Sequence, residues 1–455
     1  MANKLSASLL QDLQARLGAE VEILTEKDSD RFREVAQGWT NIGCETPGAI
    51  VLPLTEEQIQ KTVQWAVQSS VPFVAKSGGH SEWSSIGEQG IVINLQKFSG
   101  IEVDTATQTA RLKGSVLSKE VGVALAATGS FTALGNGNTV GAIPYFLGGG
   151  SSVTNSITGY GSDQIVAARM IDAKGRLVEV TEDKEPDLLY AIRGAGQFFG
   201  LVTELTVKTT PLSALGNDQG VIWVGAFVFP LERAREVAEV MKPLMDNASH
   251  ATAGLIMTMA PPLARKPALV ISARYTGNPD DAQIAYKPLY DLQPLMTSGG
   301  AVPIQNTSDA REMLCAKGDY KRFGIVGLRR FDIESFLKTI EVWKTMVEKC
   351  PDAINTAFNF QWDSRPPRHR SLSPQCPCTT RGTGNVSSRQ QVDMYNDESI
   401  RIMRGPNESE YADFQNGTRT GPIGLRFRGP GKLDKLKALK LKWDPKGMFT
   451  TQLLD

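Results

Sequence analysis

Only three histidines occur in 455 residues, and one of them, His80, stands directly behind Gly78 and Gly79 in SGGHS, residues 77–81. Two adjacent glycines let backbone N–H groups converge with no side chain in the way, a concavity suited to a pyrophosphate. An imidazole beside such a nest is a competent nucleophile when neutral. A second cluster, Gly148, Gly149 and Gly150 followed by Ser151 and Ser152, has the composition to hold another part of the same ligand. The plainer reading is a pair of tight turns and a surface histidine, because Gly-Gly commonly marks a turn. On the residues alone the two readings stand level.

Other chemistries lack their parts. GAGQFFG (194–200) has the composition of a dinucleotide fingerprint, but its spacing is one residue too long. It also follows EPDLLYAIR, which reads as a helix, whereas the fingerprint follows a strand and opens a helix. No phosphate loop ending in Gly-Lys-Ser/Thr is present, and no Gly-x-Ser-x-Gly elbow. Three scattered histidines and the Cys376-Pro-Cys378 run do not supply the four ligands of a zinc site, so no metal is expected. The five cysteines are an odd, small number for this length and read as free thiols in place of a disulfide scaffold.

The glycine loops need elements to carry them. GAIVLPLTEEQIQKTVQWAVQSSVPFVAKSGG reads as strand, helix, strand, with Thr55 capping the helix. GIVINL is a strand, and GIEVDTATQTARLKG a hairpin. SVLSKEVGVALAATG is a helix ended by Gly129, while the tract GNGNTVGAIPYFLGGGSSVTNSITGYGS has no periodicity. QIVAARMIDAKGRLVEVTE is a hairpin turning at Lys174-Gly175, and FGLVTELTVKTTPL a strand ending at Pro211. Beyond about residue 212 the pattern changes. VIWVGAFVF, GLIMTMAPP and ALVISARYTG read as strands, and PLERAREVAEVMKPLMDN and DDAQIAYKPLYDL as helices. That pattern is an antiparallel sheet with helices on one face. Residues 364–391 lack periodicity and read as a long loop, and the tail is a basic helix stopped by Pro445.

Length predicts two or three domains. Lys+Arg and Asp+Glu each count 49, with no long run of one sign, so neither nucleic acid nor an anionic membrane is expected as partner. The opening residues lack a signal-peptide pattern and no 18-residue apolar run occurs, which predicts a cytoplasmic protein without a membrane span.

Four blocks in order change the balance: SGGHS (77–81), TVGAIPYFLGGG (139–150), DLLYAIRGAGQFFGLVTEL (187–205) and KWDPKGMF (442–449). Together they resemble the berberine-bridge-enzyme-like group of FAD-linked oxidases, within the vanillyl-alcohol-oxidase superfamily, most strongly its fungal-type members. The resemblance covers the chain to about residue 211 and returns in the last 20 residues. It implies an α+β fold: a two-part PCMH-type FAD-binding domain, plus a substrate domain whose antiparallel sheet is covered by helices. Residues 1–212 would form the FAD-binding domain, 213–410 the substrate domain, and 411–455 a segment returning to the first.

Carried over residue by residue, the resemblance makes Ser77, Gly78, Gly79 and Ser81 contacts to the FAD diphosphate and His80 the point of covalent attachment to the flavin 8α-methyl. Many members attach the flavin again through a cysteine in a G-x-C-P-T-V-G segment; Gly137 stands there in GNGNTVG, so single attachment is expected. Val140, beside Gly141, falls where the family tunes oxygen access, and its small side chain favours an oxidase. Gly148, Gly149, Gly150, Asp163, Ile165, Val202 and Phe449 fall where members meet the cofactor. Tyr145 stands where some members place a histidine beside the flavin. For the catalytic base the resemblance offers Tyr411 first and Asp413 second, in YADF, which departs at two of four positions from the Tyr-x-Asn-Tyr run of many members. The expected partners are a small secondary-metabolite substrate (alcohol, phenol, polyketide or alkaloid), giving hydride to flavin N5, and molecular oxygen, which yields hydrogen peroxide. The alternatives are a dehydrogenase with another acceptor and a non-redox cyclase with a structural flavin.

Overall fold

A computed structural model describes residues 5–81, 84–246, 252–262, 265–324, 331–363, 378–380, 386–405, 423, 427 and 429–454. Strands β1 (Glu22–Leu24), β2 (Ala49–Leu52), β3 (Phe73–Lys76) and β4 (Ile91–Asn94) form a first sheet in the order β1-β2-β4-β3. β2, β4 and β3 run parallel, and both β2 and β4 are buried at every position, as central strands covered on two faces must be. The crossover helix Glu56–Gln68 starts at Thr55 with a full capping box closed by Gln58. The helix Ala7–Leu17 adds Leu13 and Leu17 to the same core.

A second sheet is antiparallel. Its strands are β5 (Ser99–Asp104), β6 (Thr109–Gly114), β8 (Ile165–Ile171), β9 (Leu177–Val180) and β10 (Leu201–Lys208), in the order β5-β6-β10-β8-β9; the short β7 (Ser130–Phe131) pairs with β11 (Thr210–Pro211). The expected turn at Gly175 is present, with φ of 74°. The helix Lys432–Trp443 packs Leu436, Leu439 and Trp443 into this sheet's core, so the end of the chain lies against its first half.

The third sheet has seven strands: β12 (Val221–Pro230), β13 (Thr252–Met259), β14 (Ala268–Tyr275), β15 (Met296–Pro303), β16 (Arg322–Gly324), β17 (Ala357–Asp363) and β18 (Cys378–Thr380). They are ordered β15-β12-β14-β13-β17-β18-β16 and every pair is antiparallel. β12 alternates buried and half-buried positions along most of its length. Its buried side carries Phe227 and Phe229 under the helices Ala234–Asp246 and Ile333–Lys349.

Four stretches differ from the sequence reading or add to it. DDAQIAYKPLYDL is two short helices, Ala282–Ala285 and Lys287–Asp291, because Pro288 cannot donate the hydrogen bond that would join them. The aperiodic tract holds two short helices, Ala142–Leu147 and Asn155–Thr158. MTSGGAVP forms the edge strand β15, exposed at nearly all positions and so without a buried stripe to announce it. Within 364–391, residues 378–380 form β18 and a helix begins at Val386. Among the described residues no helix is long and apolar enough to cross a membrane.

Candidate active site

The SGGHS loop starts where β3 ends. Lys76, the last residue of β3, is buried, and its ammonium donates to the carbonyls of Val35, Ala36 and Gln37 at 2.8, 2.8 and 2.9 Å. These are carbonyls at the C-terminus of the helix Asp30–Ala36, where intrahelical donors run out. Burial, with the charge of Lys317, lowers the Lys76 pKa to about 8. The root of the loop is thus tied to a helix end.

The loop then meets a second loop backbone to backbone. A Cβ on Gly78 would lie 2.3 Å from the Thr139 carbonyl oxygen and 2.6 Å from the Gly141 nitrogen. A Cβ on Gly141 would lie 2.3 Å from Ser77 Oγ. Only glycine permits this approach from either side. The Ser77 hydroxyl is buried and has no hydrogen-bond partner, as do Asn136 Oδ1 and Gln197 Nε2. Buried polar atoms are seldom left so unless a ligand or water completes them. Behind the loop a cleft of about 440 Å³, partly open to solvent, is lined by Thr40, Gly79, Ser81, Ser84 and Ser85, with Glu45 as its acidic member. Glycine backbone and hydroxyls are a donor set that fits the diphosphate of FAD.

His80 is held on two sides. Its ring stacks on Trp39 with centroids 5.6 Å apart and planes 19° from parallel. Lys321 Nζ lies 4.7 Å from the Trp39 ring centroid. His80 Nε2 is 2.8 Å from Thr139 Oγ1. Burial, then the charges of Lys321 and Lys317, push its pKa down to about 4, so the imidazole is neutral at pH 7. With Nε2 on Thr139, Nδ1 is the other nitrogen able to act as nucleophile.

The glycine triplet belongs to a neighbouring knot. Gly149 and Gly150 have φ of 108° and 69°, and their carbonyls accept from Ser162 N and Gly161 N at 2.8 and 2.7 Å. The Tyr145 ring fills the space where a Cβ on Gly135 or Gly150 would stand, and its hydroxyl donates to the Ser151 carbonyl at 2.7 Å. Asp163 accepts from Tyr160 N at 2.9 Å and closes this turn. Ile165 and Val202 are core residues of the second sheet. Phe449 meets Phe73 of β3 edge to face, with centroids 5.5 Å apart. The structure therefore brings residues 77–81 to Val140 and Gly141, sets Tyr145, Gly148–Gly150 and Asp163 in an adjoining knot, and places Ile165, Val202 and Phe449 in packing positions. Tyr411 and Asp413 lie outside the described residues.

The third sheet supplies another surface. Register puts Ser272, Arg274, Leu255, Asn359 and Gln361 on the face opposite the helices. Gln361 Nε2 is 3.4 Å from Ser151 Oγ, which joins that face to the glycine tract. Arg311 donates to Ser272 Oγ at 2.8 Å. The short 3₁₀ segment Asp309–Leu314 that carries Arg311 also touches the first half, where Trp39 Nε1 donates to the Leu314 carbonyl at 2.7 Å. Sequence reading missed Lys76, Thr139, Trp39, Lys321 and Arg311. Lys76 and Thr139 adjoin the motifs and were within reach; the other three arrive from distant segments and leave no local signal.

Comparison with known proteins gives four findings. Residues 47–181 match the FAD binding domain family. The FAD-linked oxidoreductase hasG of Aspergillus fumigatus is 27 % identical over 448 residues, covering 92 % of this chain and 94 % of that protein. Among solved structures, Physcomitrella patens BBE-like 1 superposes with a TM-score of 0.83 at 18 % identity, over 98 % of this chain and 99 % of that one. Glucooligosaccharide oxidase from Acremonium strictum, described as carrying a 6-S-cysteinyl, 8α-N1-histidyl FAD, superposes with a TM-score of 0.79 at 19 % identity, over 97 % and 98 %. At these identities the structural matches establish the fold.

Proposed function

We propose that this chain is an FAD-linked oxidoreductase of the berberine-bridge-enzyme-like group, a reading supported by its FAD binding domain match, its relatives and its fold, and that it is an oxidase that removes two electrons and two protons from a small secondary metabolite and passes them to molecular oxygen, giving hydrogen peroxide. The observation that carries the reading is His80: a neutral imidazole, fixed by Trp39 and Thr139, at the contact of two glycine loops that leave a buried serine hydroxyl without a partner. When bound, FAD supplies the two-electron acceptor.

Ser77, Gly78, Gly79 and Ser81 would hold the diphosphate of FAD, and His80 would be its covalent anchor. With the ring proton on Nε2 and donated to Thr139 Oγ1, Nδ1 would keep the free lone pair for attachment. Gly137 offers no thiol for a second bond from its own position. Val140 leaves room for oxygen. Tyr145 orients Ser151 at the rim. Tyr411 is the first candidate base, with Asp413 the second. Residues 1–212 and 411–455 form one FAD-binding unit, and 213–410 the substrate domain.

Leu255, Met257 and Val270 share the half-buried sheet face with Ser272, Arg274, Asn359 and Gln361, so that face offers apolar contact and polar partners together. The test is acid precipitation of the purified protein. Yellow colour should stay with the pellet, and His80→Ala should release it to the supernatant. A colourless wild-type protein overturns the whole reading. Anaerobic reduction followed by mixing with oxygen tests the acceptor: slow reoxidation without peroxide would mean a dehydrogenase.

A further inference from the structure

Two groups hold His80, and they constrain different freedoms of its ring. Trp39 stacks on the ring face and so fixes its plane. Thr139 Oγ1 meets Nε2 at the ring edge and so fixes rotation within that plane. An imidazole forms a bond along a lone pair that lies in the ring plane. Both freedoms must be lost before Nδ1 can point steadily at one atom. Trp39 N donates to the Gly79 carbonyl at 2.9 Å, which ties its backbone, though not its indole, to the SGGHS loop. What holds the indole and the Thr139 loop therefore decides where the imidazole points.

Both are bolted to one strap. Residues 304–321 join β15 to β16 and cross to the first half of the chain. Near one end of the crossing, Trp39 Nε1 donates to the Leu314 carbonyl at 2.7 Å, and Lys321 Nζ stands 4.7 Å from a Trp39 ring centroid. The residues flanking Trp39 are tied as well. Gly318 N donates to the Gly38 carbonyl at 3.0 Å, and Lys321 N to Thr40 Oγ1 at 2.9 Å. Near the other end, the strap grips the loop that carries Thr139. Asn138 Nδ2 donates to Asp309 at 2.9 Å and to Glu312 at 2.6 Å, and Ser308 Oγ donates to the Gly135 carbonyl at 3.4 Å. Lys119 Nζ fixes this end, at 2.9 Å from the Gln305 carbonyl and 2.7 and 2.8 Å from the Asp309 carboxylate. Between the ends, Cys315 Sγ is 4.0 Å from where a Cβ on Gly137 would stand, so strap and loop pack directly.

The strap is rooted in the third sheet, where Ile304 N donates to the Gly220 carbonyl at 3.1 Å and Arg311 to Ser272 Oγ at 2.8 Å. A plain contact between two halves would have no reason to converge on one side chain. Here the two anchored ends fall on the two groups that touch His80, one on each. The strap acts on the ring's charge too. Burial first, then the charges of its residues Lys321 and Lys317, keep the imidazole neutral and a lone pair free.

We propose that the 304–321 strap aims His80 at the flavin, so that a segment rooted in the third sheet governs attachment of the cofactor beside the first. Trp39, Asp309 and Lys321 are its positioning residues. This rests on the reading of His80 as the point of attachment. In that step a nitrogen–carbon bond replaces one N–H of His80 and one C–H of the flavin methyl group. Molecular oxygen takes the two hydrogens, with their electrons, as hydrogen peroxide.

The test mixes the full chain, purified from flavin-starved cells, with FAD in air. Desalted aliquots give total flavin retained, and acid-precipitated aliquots give flavin fixed in the pellet over time. At about pH 8 the imidazole is neutral in every variant, so a slower rate reports aim and not protonation. Lys321→Met and Asp309→Ala should slow fixation roughly tenfold or more, since a misplacement of about 1 Å can cost a hundredfold, with retained flavin unchanged. Trp39→Phe keeps a ring on the imidazole and loses the bond to Leu314, so it should slow fixation less. Lys321→Arg keeps a cation over the indole and should restore most of the rate. Asp309 is exposed, so its variant reads the strap even where loss of the buried Lys321 prevents folding. Fixation at the wild-type rate in Lys321→Met and Asp309→Ala overturns the proposal. So does a slowing matched by an equal loss of retained flavin, or one that Lys321→Arg leaves unrepaired, because either makes the strap mere packing. Failure of the underlying reading shows elsewhere. A wild-type pellet without flavin, or a His80→Ala pellet that colours as fast, sinks the attachment itself and this proposal with it.

Discussion

Particular cations in the two halves of the molecule are held in opposite ways. In the first, Lys76 gives its three donors to three helix carbonyls. Lys440, wholly inaccessible, pairs with Asp444 at 2.6 Å and donates to the Phe198 carbonyl at 2.7 Å. In the second, Arg311 has a neutral hydroxyl and a like-charged neighbour. A charge completed by its own chain is architecture, because removing either partner leaves an uncompensated ion. A charge the chain does not complete is kept at a cost in stability.

The sharpest break of that contrast is Asp444→Asn, which strands Lys440 in the core. It should cost about 3–5 kcal/mol, read by denaturant unfolding. Arg311→Met should cost nothing by the same assay; if the two variants lose equal stability, the contrast is wrong. Next, Gly78→Ala drives a methyl group to 2.3 Å from the Thr139 carbonyl. The two loops must part, so the protein should purify folded by circular dichroism but with its flavin absorbance largely lost.

A third expectation concerns pH. The His80 pKa is about 4 folded against 6.5 for an ordinary imidazole. Between those values the unfolded chain binds more protons, so this contribution to stability is present above pH 6.5 and is lost as pH falls toward 4. The thermal midpoint should decline across that window, and His80→Ala should remove part of the decline. Lys321→Met removes a repelling charge, so it should raise the lower edge of the window and shrink the loss without abolishing it. The smallest effect is expected at Arg235, whose pair with Glu334 is open to solvent. Arg235→Ala should leave both flavin content and thermal midpoint unchanged.

How much of this was legible in sequence follows from where each signal lies. The capping box at Thr55, the turn at Gly175 and the alternation of β12 are local, and the chain states them locally. The tail motif KWDPKGMF was visible as a pattern without a reason. The structure supplies one: the Asp444 carboxylate accepts from Lys440 Nζ, Met448 N and Phe449 N, and so turns the chain after its last helix. The edge strand β15 was silent because an exposed strand needs no apolar stripe. Trp39, Lys321 and Arg311 were silent for another reason. Their roles depend on neighbours far away in sequence, joined only when the 309–321 segment folds over residues 38–41. No window of periodicity spans such a contact.

Phe449 packs on Phe73, in the strand that leads straight into SGGHS. During synthesis, the strand leaves the ribosome long before the ring that buttresses it. The SGGHS loop, proposed above to hold the flavin, can therefore gain its full support only when nearly the whole chain has been released. Loading with flavin becomes a late event, in effect a check that translation reached the far end. Chains stopped short of Phe449 should accumulate without colour, however well their first sheet forms.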